Sequence, residues 1–172
     1  MVPTQKAGRH ILNVSLGVKM SFPLSYTNKV EVFFKPERHT PENLLKSVVS
    51  SLKEVKAKNI KNDKNHITFS GGILRFVSNW NILASVSSGE ITIDKNNGKL
   101  IISYHLRFTE IFIFVTAGIL GFMGPVIYQA PNLSIFPKIF LLIFMWAFAF
   151  GGNYFITILR FPSFIRKMTE VK

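Results

Sequence analysis

Two long stretches without charge dominate the last third of the chain. The 27 residues between Glu110 and Lys138 hold no Asp, Glu, Lys or Arg, and neither do the 21 residues between Lys138 and Arg160. At a helical rise of about 1.5 Å per residue, Ile111 to Ala130 covers about 30 Å, the thickness of the hydrocarbon layer of a bilayer, and Ile139 to Leu159 is of matching length. The pattern predicts two transmembrane helices.

The connection between these helices favours a tight reversal. Its sequence, PNLSIFPK, holds two prolines, which do not continue a helix interior, and one turn-forming Asn. A pair of core helices in a soluble protein is the alternative, but the domain upstream is too small to cover two helices that are apolar on all sides. We therefore expect a transmembrane helical hairpin over residues 110–160.

Lys and Arg concentrate on both flanks of this hairpin. Residues 1–110 carry 16 Lys and Arg against 8 Asp and Glu, residues 160–172 carry 4 against 1, and the turn holds only Lys138. The first fifteen residues lack the apolar core of a secretory signal. By the positive-inside rule we expect a multi-pass protein of the cell (inner) membrane with both termini in the cytoplasm.

Upstream of the hairpin, apolar and polar residues alternate as in half-buried strands. Leu12 to Met20 alternates cleanly, and Val30, Val32 and Phe34 alternate with charged residues. These two strands are expected to pair as a hairpin with a long loop.

The next segment has the period of an amphipathic helix. Thr40 suits the N-cap and Pro41 the first helical position. An apolar stripe follows, formed by Leu44, Val48, Leu52 and Val55 and widened by Leu45 and Val49. This helix is expected to cover one face of a sheet.

Short strands then follow between Gly, Ser and Asn residues. Ile67 and Phe69 start the series, and the NNG sequence at 96–98 is a strong signal for a hairpin between two alternating strands. Thr109 and Glu110 are expected to supply the cap and first turn of the first span, with almost no linker.

The predicted fold class is therefore α+β. It combines a small cytoplasmic antiparallel sheet, packed by one amphipathic helix, with a C-terminal two-helix transmembrane hairpin. The expected boundaries are 1–109 for the cytoplasmic domain, 110–160 for the hairpin with spans at about 111–130 and 139–159, and 161–172 for a basic juxtamembrane tail.

Small residues recur inside both spans. If residues whose numbers add up to about 269 lie at the same depth, Gly121 lies near Phe148 and Ala117 near Gly152, so the small faces of the two helices can meet. The alternative is that one small face packs against a neighbouring subunit. The residues expected to pack in the membrane are Ala117, Gly121, Gly124, Ala147, Gly151 and Asn153, the last through an interhelical hydrogen bond.

Three features are candidate surfaces for lipid or a partner. Arg75 and Trp80 lie in a predicted bend, where Trp80 is either core or a contact anchor. Arg166 and Lys167 suit the anionic headgroups of the inner leaflet, and the alternative of a frayed terminus applies beyond Met168. The densest basic cluster consists of Lys53, Lys56, Lys58, Lys61 and Lys64. It either binds the same anionic lipids or is the solvated end of a helix. Nucleic acid is not the expected partner, because arginine is absent from this cluster.

Residues for catalysis or metal binding are sparse. The absence of Cys excludes disulfides and thiolate metal sites. His10, His39, His66 and His105 are scattered, and no two carboxylates have a spacing suited to acid–base catalysis. We expect no cofactor, no metal site and no enzymatic activity.

These observations favour a non-enzymatic, membrane-anchored interaction or regulatory subunit of a larger membrane assembly, working as a homo- or hetero-oligomer. The alternative is a homo-oligomeric membrane effector or pore, gated through its cytoplasmic domain, with Thr116, Asn153 and Thr157 facing the axis. A third possibility is a membrane enzyme acting on lipid, which would depend on His105 and Glu110.

Overall fold

A computed structural model describes residues 19–21, 24–33, 41–71, 81–96, 99–129 and 134–169. Its strands are β1 (Lys19–Ser21), β2 (Ser25–Phe33), β3 (Lys58–Asp63), β4 (His66–Ser70), β5 (Ser88–Asn96) and β6 (Lys99–Arg107). Its helices are α1 (Pro41–Glu54), α2 (Thr109–Tyr128) and α3 (Ile135–Thr169). α3 contains a π-helical segment, Ala147–Gly151.

The six strands form one sheet in the order β1-β2-β6-β5-β4-β3, and every neighbouring pair is antiparallel. β3 to β6 lie side by side in chain order, with β3–β4 and β5–β6 as hairpins, and α1 carries the chain from β2 to β3 at the far edge. All nine residues of β6 pair with both β2 and β5. The strand that leads into α2 is therefore held on both sides along its whole length.

One face of the sheet carries the hydrophobic core. Side chains alternate between the two faces of a strand, and on β6 the buried set is Leu100, Ile102, Tyr104 and Leu106. The predicted stripe of α1 packs on this face, with Leu44, Val48 and Leu52 buried. The C-terminal half of α3 (Gly152–Thr169) packs beside α1, and the Ser47 hydroxyl donates to the Met168 carbonyl at 2.7 Å.

The prediction of an α+β fold with an antiparallel sheet is confirmed, but two helices cover the sheet instead of one. Residues 161–169, expected to be a juxtamembrane tail, are the last turns of α3. Phe161, Ile165 and Met168 are at most 2% exposed. Arg160 ends the uncharged run in the sequence, but the apolar residues that follow it recur at helical spacing and face the core.

Most predicted strands are present. β1 and β2 pair antiparallel as expected, with Ser21 opposite Ser25, so the connection is shorter than the predicted loop. The predicted strand from Leu12 lies outside the described residues except for its last part. β3 was missed because Ile60 is its only apolar residue: an exposed edge strand needs no alternating pattern.

By length and composition, α3 is the one helix in these described ranges that could cross a membrane, and 11% of its most apolar part is buried. α2 contains a shorter apolar stretch, Thr109–Pro125. α3 begins four residues before the predicted span at Ile139 and continues beyond Leu159. A hairpin of two spans is thus not established by the helices alone.

Phe161→Ala is expected to destabilise the fold strongly. Phe161 is fully buried with its ring centroid 4.8 Å from that of Tyr104, and removing a buried Phe side chain costs about 3–5 kcal/mol. Denaturant unfolding in detergent, followed by circular dichroism, measures the loss. Phe155→Ala on the same helix is the matched control, because Phe155 is 62% exposed. Equal losses for the two variants would show that this half of α3 does not pack on the sheet.

Candidate functional site at the junction of the sheet and the apolar helices

β6 passes into α2 through a single residue, Phe108. This residue is fully buried, and its N–H donates to the carbonyl of Leu24 at 2.8 Å. In the first turn of α2, the N–H of Glu110 donates to the Ser87 hydroxyl at 2.8 Å. Thr109, the predicted cap, is the first residue of α2 itself, so Ser87, directly before β5, caps the helix in its place. The junction is held by the segments that precede β2 and β5.

An aromatic ladder, formed by Phe108, Phe112, Trp146, Phe150 and Tyr154, joins α2 to α3 beside this junction. The ring centroid of Phe112 lies 5.9 Å from Trp146 and 5.6 Å from Phe150, and Phe108 lies 4.8 Å from Tyr154. Phe150 also contacts both of its neighbours on α3, at 5.0 and 5.8 Å. Such pairs contribute about 0.5–1.5 kcal/mol each beyond area burial. The ladder therefore clamps both apolar helices to the end of the sheet.

One hydrogen bond extends the contact between α2 and α3. The Nε1–H of Trp146 donates to Oγ1 of Thr116 at 3.0 Å. In the observed register, facing residues of the two helices have numbers that add up to 262. This holds for the Trp146–Thr116 bond and for the ring contacts Phe112–Phe150 and Phe108–Tyr154. The predicted register of about 269 is wrong by about two helical turns. Large rings form the seam, where small residues were expected.

Two polar side chains bond the backbone at the π-helical segment. The Asn153 amide donates to the Ala149 carbonyl at 2.7 Å, and the Thr157 hydroxyl donates to the Asn153 carbonyl at 2.9 Å. The hydrogen bond of the Asn153 amide thus stays within α3, whereas the sequence predicts a bond to the other helix. Thr157 is buried and Thr116 accepts from Trp146, so both hydroxyls that a pore would present to its axis are used inside the chain.

A buried polar cluster lies between the sheet and α3. The Asn28 amide donates to the Tyr26 hydroxyl at 2.9 Å, and the Tyr104 ring centroid is 6.2 Å from that of Tyr26. Burial, reinforced by the neighbouring Tyr26, raises the pKa of Tyr104 well above its usual value. Tyr104 therefore remains a neutral phenol near neutral pH and serves as an aromatic core residue.

The predicted small-residue faces do not contact each other. A Cβ atom added to Gly121, Gly124 or Gly151 would meet no atom within 4 Å, and Ala117 and Ala147 are exposed. Among the described residues these positions thus lie on the outside of the helix pair. Packing against a neighbouring subunit, the alternative interpretation, stays a prediction.

The five predicted lysines are exposed, but they do not form one patch at a helix end. Lys53 is in the last turn of α1, and Lys56 follows the helix with φ at 60°. Lys58 and Lys61 lie on the edge strand β3, and Lys64 lies in the turn after it. The cluster therefore runs along one edge of the sheet, from the end near α2 to the opposite end.

The other predicted contact residues divide into two groups. Arg166 and Lys167 are exposed on the last turns of α3, beside the buried Ile165. Arg75 and Trp80 lie outside the described residues. A contact role for Arg166 and Lys167 thus agrees with their exposure and stays a prediction.

The histidines within the described ranges lie on the sheet face that no described helix covers. Nδ1 of His105 is 2.7 Å from the Thr27 hydroxyl, and Nδ1 of His66 is 3.1 Å from the Thr92 hydroxyl. No group of three or more His, Cys, Asp and Glu residues in the described part of the chain could hold a metal ion. Both imidazoles are held by cross-strand threonines.

The comparisons with known proteins assign no function. No family model, no curated protein and no solved structure matches this chain. The function is therefore inferred from the junction and from the exposed surfaces.

Sequence reasoning missed the residues that form the junction. The ladder has a visible signal, because Trp146, Phe150 and Tyr154 recur every four residues and so lie on one face of α3. Phe108 and Phe112 have the same spacing. Ser87 has no such signal, since its role depends on a contact with Glu110, 23 residues away.

The register between α2 and α3 can be tested with cysteine pairs, because the chain contains no Cys. Thr116→Cys combined with Trp146→Cys is expected to cross-link with a short bifunctional thiol reagent in the purified protein, since the native side chains are in contact. Thr116→Cys combined with Asn153→Cys, the matched pair of the alternative register, is expected to remain uncoupled. Gel mobility is the readout, and preferential coupling of the second pair would contradict the observed register.

Proposed function

We propose that this protein is a non-enzymatic, membrane-anchored interaction or regulatory subunit of a larger membrane assembly. In this proposal α2 and residues 135–151 of α3 cross the bilayer as a hairpin. The sheet and the C-terminal half of α3 then lie on the cytoplasmic side.

The exposure of apolar side chains carries the proposal. In the described part of the chain, every large exposed hydrophobic residue lies on α2 or α3, with the exception of Leu24. Phe122, Tyr128 and Phe136 are 82%, 88% and 84% exposed. Soluble monomers rarely expose a contiguous apolar surface of this kind, and a core helix would be mostly buried, whereas lipid chains solvate such helices.

The length of the helix pair supports a membrane hairpin. From Ile111 to Tyr128, α2 covers about 27 Å at a rise of about 1.5 Å per residue. The observed register places Ile111 opposite Gly151, so residues 135–151 of α3 cover about 25 Å. Both lengths are close to the thickness of the hydrocarbon layer, about 30 Å. In this proposal the second span begins and ends earlier than the predicted 139–159.

The distribution of charge supports the proposed orientation. Arg107, Arg160, Arg166 and Lys167 lie at the sheet end of the hairpin, whereas Lys138 is the only Lys or Arg between Arg107 and Arg160. Lys138 lies in the first turns of α3, from which a long side chain reaches the headgroup region. By the positive-inside rule the sheet is cytoplasmic.

The rigid junction supports a regulatory or interaction role over passive anchoring. One buried residue joins β6 to α2, and α3 runs without a break from its apolar half into the core on the sheet. A partner that shifts the sheet would therefore move both helices together. Gly121 and Gly124 leave an open face on α2 where a neighbouring helix can approach closely.

Single cysteines test the proposed topology. Ser134→Cys, next to the turn between the helices, is expected to react with a membrane-impermeant maleimide in intact cells or spheroplasts, because the turn faces outwards. Ser163→Cys, exposed on the C-terminal half of α3, is expected to react only after permeabilisation. Reaction of both in intact cells, or release of the protein by alkaline carbonate, would refute the topology.

The mass of the purified protein tests its role as a subunit. In mild detergent we expect light scattering to show an assembly heavier than one 19.5 kDa chain. Gly121→Leu is expected to weaken that assembly by blocking close helix approach, whereas Phe122→Leu, at the neighbouring exposed position, should leave it intact. A wild-type protein that is monomeric at all concentrations would count against the proposed function.

A further inference from the structure

A groove runs along the outer flank of α1, between this helix and the β3–β4 hairpin. It consists of two adjoining depressions with volumes of about 280 and 310 Å³, which share Leu45, Lys46 and Asn62. Leu45, Val49 and Ile93 form its floor, and Lys46, Lys53 and Lys64 form its rim. We refer to this feature as the lysine groove.

The lysine groove combines an apolar floor with a positive rim. Leu45 and Val49 are only partly buried, since they lie on the flank of α1 that points away from α3. Among the described residues, no carboxylate oxygen lies within 4.0 Å of the Nζ atoms of Lys46, Lys53 and Lys64. Within the described part of the lining, Glu42 is the single acidic residue. A ligand with both apolar groups and negative charge would complement this surface.

The Ile93 end of the groove lies away from the lipid headgroups of the proposed topology, whereas Lys53, in the last turn of α1, lies at the end nearer to them. Ser88 lies opposite Arg107, at the membrane end of the sheet, and Ile93 is five residues further along β5. At about 3.4 Å per residue this is about 17 Å along the strand. β6 runs beside α3, since Tyr104 on β6 contacts Phe161, and Phe108, directly after β6, contacts Tyr154; the strands therefore lead away from the apolar half of α3. The headgroup layer is only about 5–8 Å deep.

A second copy of the chain is a poor occupant of the groove. The adjacent edge strand β3 carries Lys58 and Lys61, and its pairing with β4 is irregular between these residues. Lysines and irregularities at an edge strand discourage pairing with an identical edge. Two copies would also bring lysine against lysine in a chain of net charge +12. Nucleic acid is also a poor occupant, because the described lining contains neither the Arg nor the aromatic residues that bind it.

We propose that the lysine groove binds an acidic amphipathic segment of a partner protein. Apolar side chains of the segment lie on Leu45 and Val49, and its carboxylates face Lys46, Lys53 and Lys64. The inference rests on the proposed function, because it names the kind of partner that an interaction subunit would bind. The rim charges set specificity and salt dependence, and the floor contributes affinity through burial of apolar surface.

Peptide binding to the full chain in a zwitterionic detergent tests the proposal. The probe is a short fluorescein-labelled peptide in which pairs of Glu and Leu alternate, and fluorescence anisotropy measures its Kd, with empty micelles as background. Lys46→Glu combined with Lys64→Glu is expected to weaken binding by about tenfold or more. We expect binding also to weaken when salt is added. The same is expected when the peptide's Glu residues are replaced by Gln or its Leu residues by Ser.

A matched double variant controls for net charge. Lys29→Glu combined with Lys99→Glu makes the same change in charge on the opposite face of the sheet, and should change the Kd by less than about threefold. Equal affinities of the groove variant and the wild type would overturn the proposal. Tighter, groove-dependent binding of a single-stranded RNA oligonucleotide or of phosphatidylserine vesicles would also overturn it. This readout does not depend on membrane topology, so it can fail while the topology and mass experiments succeed.

Discussion

Where α2 leaves the sheet, the rings of Phe108 and Phe112 interleave with those of Trp146, Phe150 and Tyr154. The position of the apolar helices relative to the sheet depends on this contact. Without it, α2 would be held near the sheet mainly by Phe108 and by the bond from Glu110 to Ser87. Because the rings lie at the end of the sheet, they fix the register of the two helices and the direction in which they project.

The helix pair has different contacts near the sheet and far from it. Near the sheet, large rings and the bond between Trp146 and Thr116 hold α2 and α3 together within one chain. Further from the sheet, Gly118, Gly121 and Gly124 have open space around them. In lipid, helices associate through close packing and hydrogen bonds because no hydrophobic driving force acts between them. In the proposed assembly these small faces are where a neighbouring chain can approach closely.

The sequence predicts those helices and strands in which a repeating pattern of apolar residues within the element determines its buried face. The stripe on α1 and the alternation along β6 each specify a buried face without reference to the rest of the chain. β3 lacks such a pattern because five of its six side chains are exposed and Ile60 is only partly buried. The end of α3 lies beyond the predicted span because Arg160 interrupts the uncharged run, although Phe161 continues the buried face. Register and the Ser87 cap depend on contacts between distant segments, which no local pattern encodes.

α3 connects two environments in which different forces act. Apart from Lys138, its first half is apolar, so in the proposed bilayer it gains little from burial and is positioned by packing. Its second half buries Phe161, Ile165 and Met168 against the sheet, where removal of apolar surface from water is strongly favourable. The stability of the helix therefore resides mainly on the sheet side. Since α3 is continuous, the sheet determines the position of the apolar half, and a ligand that changes the sheet would act on both apolar helices through α3 and the ladder.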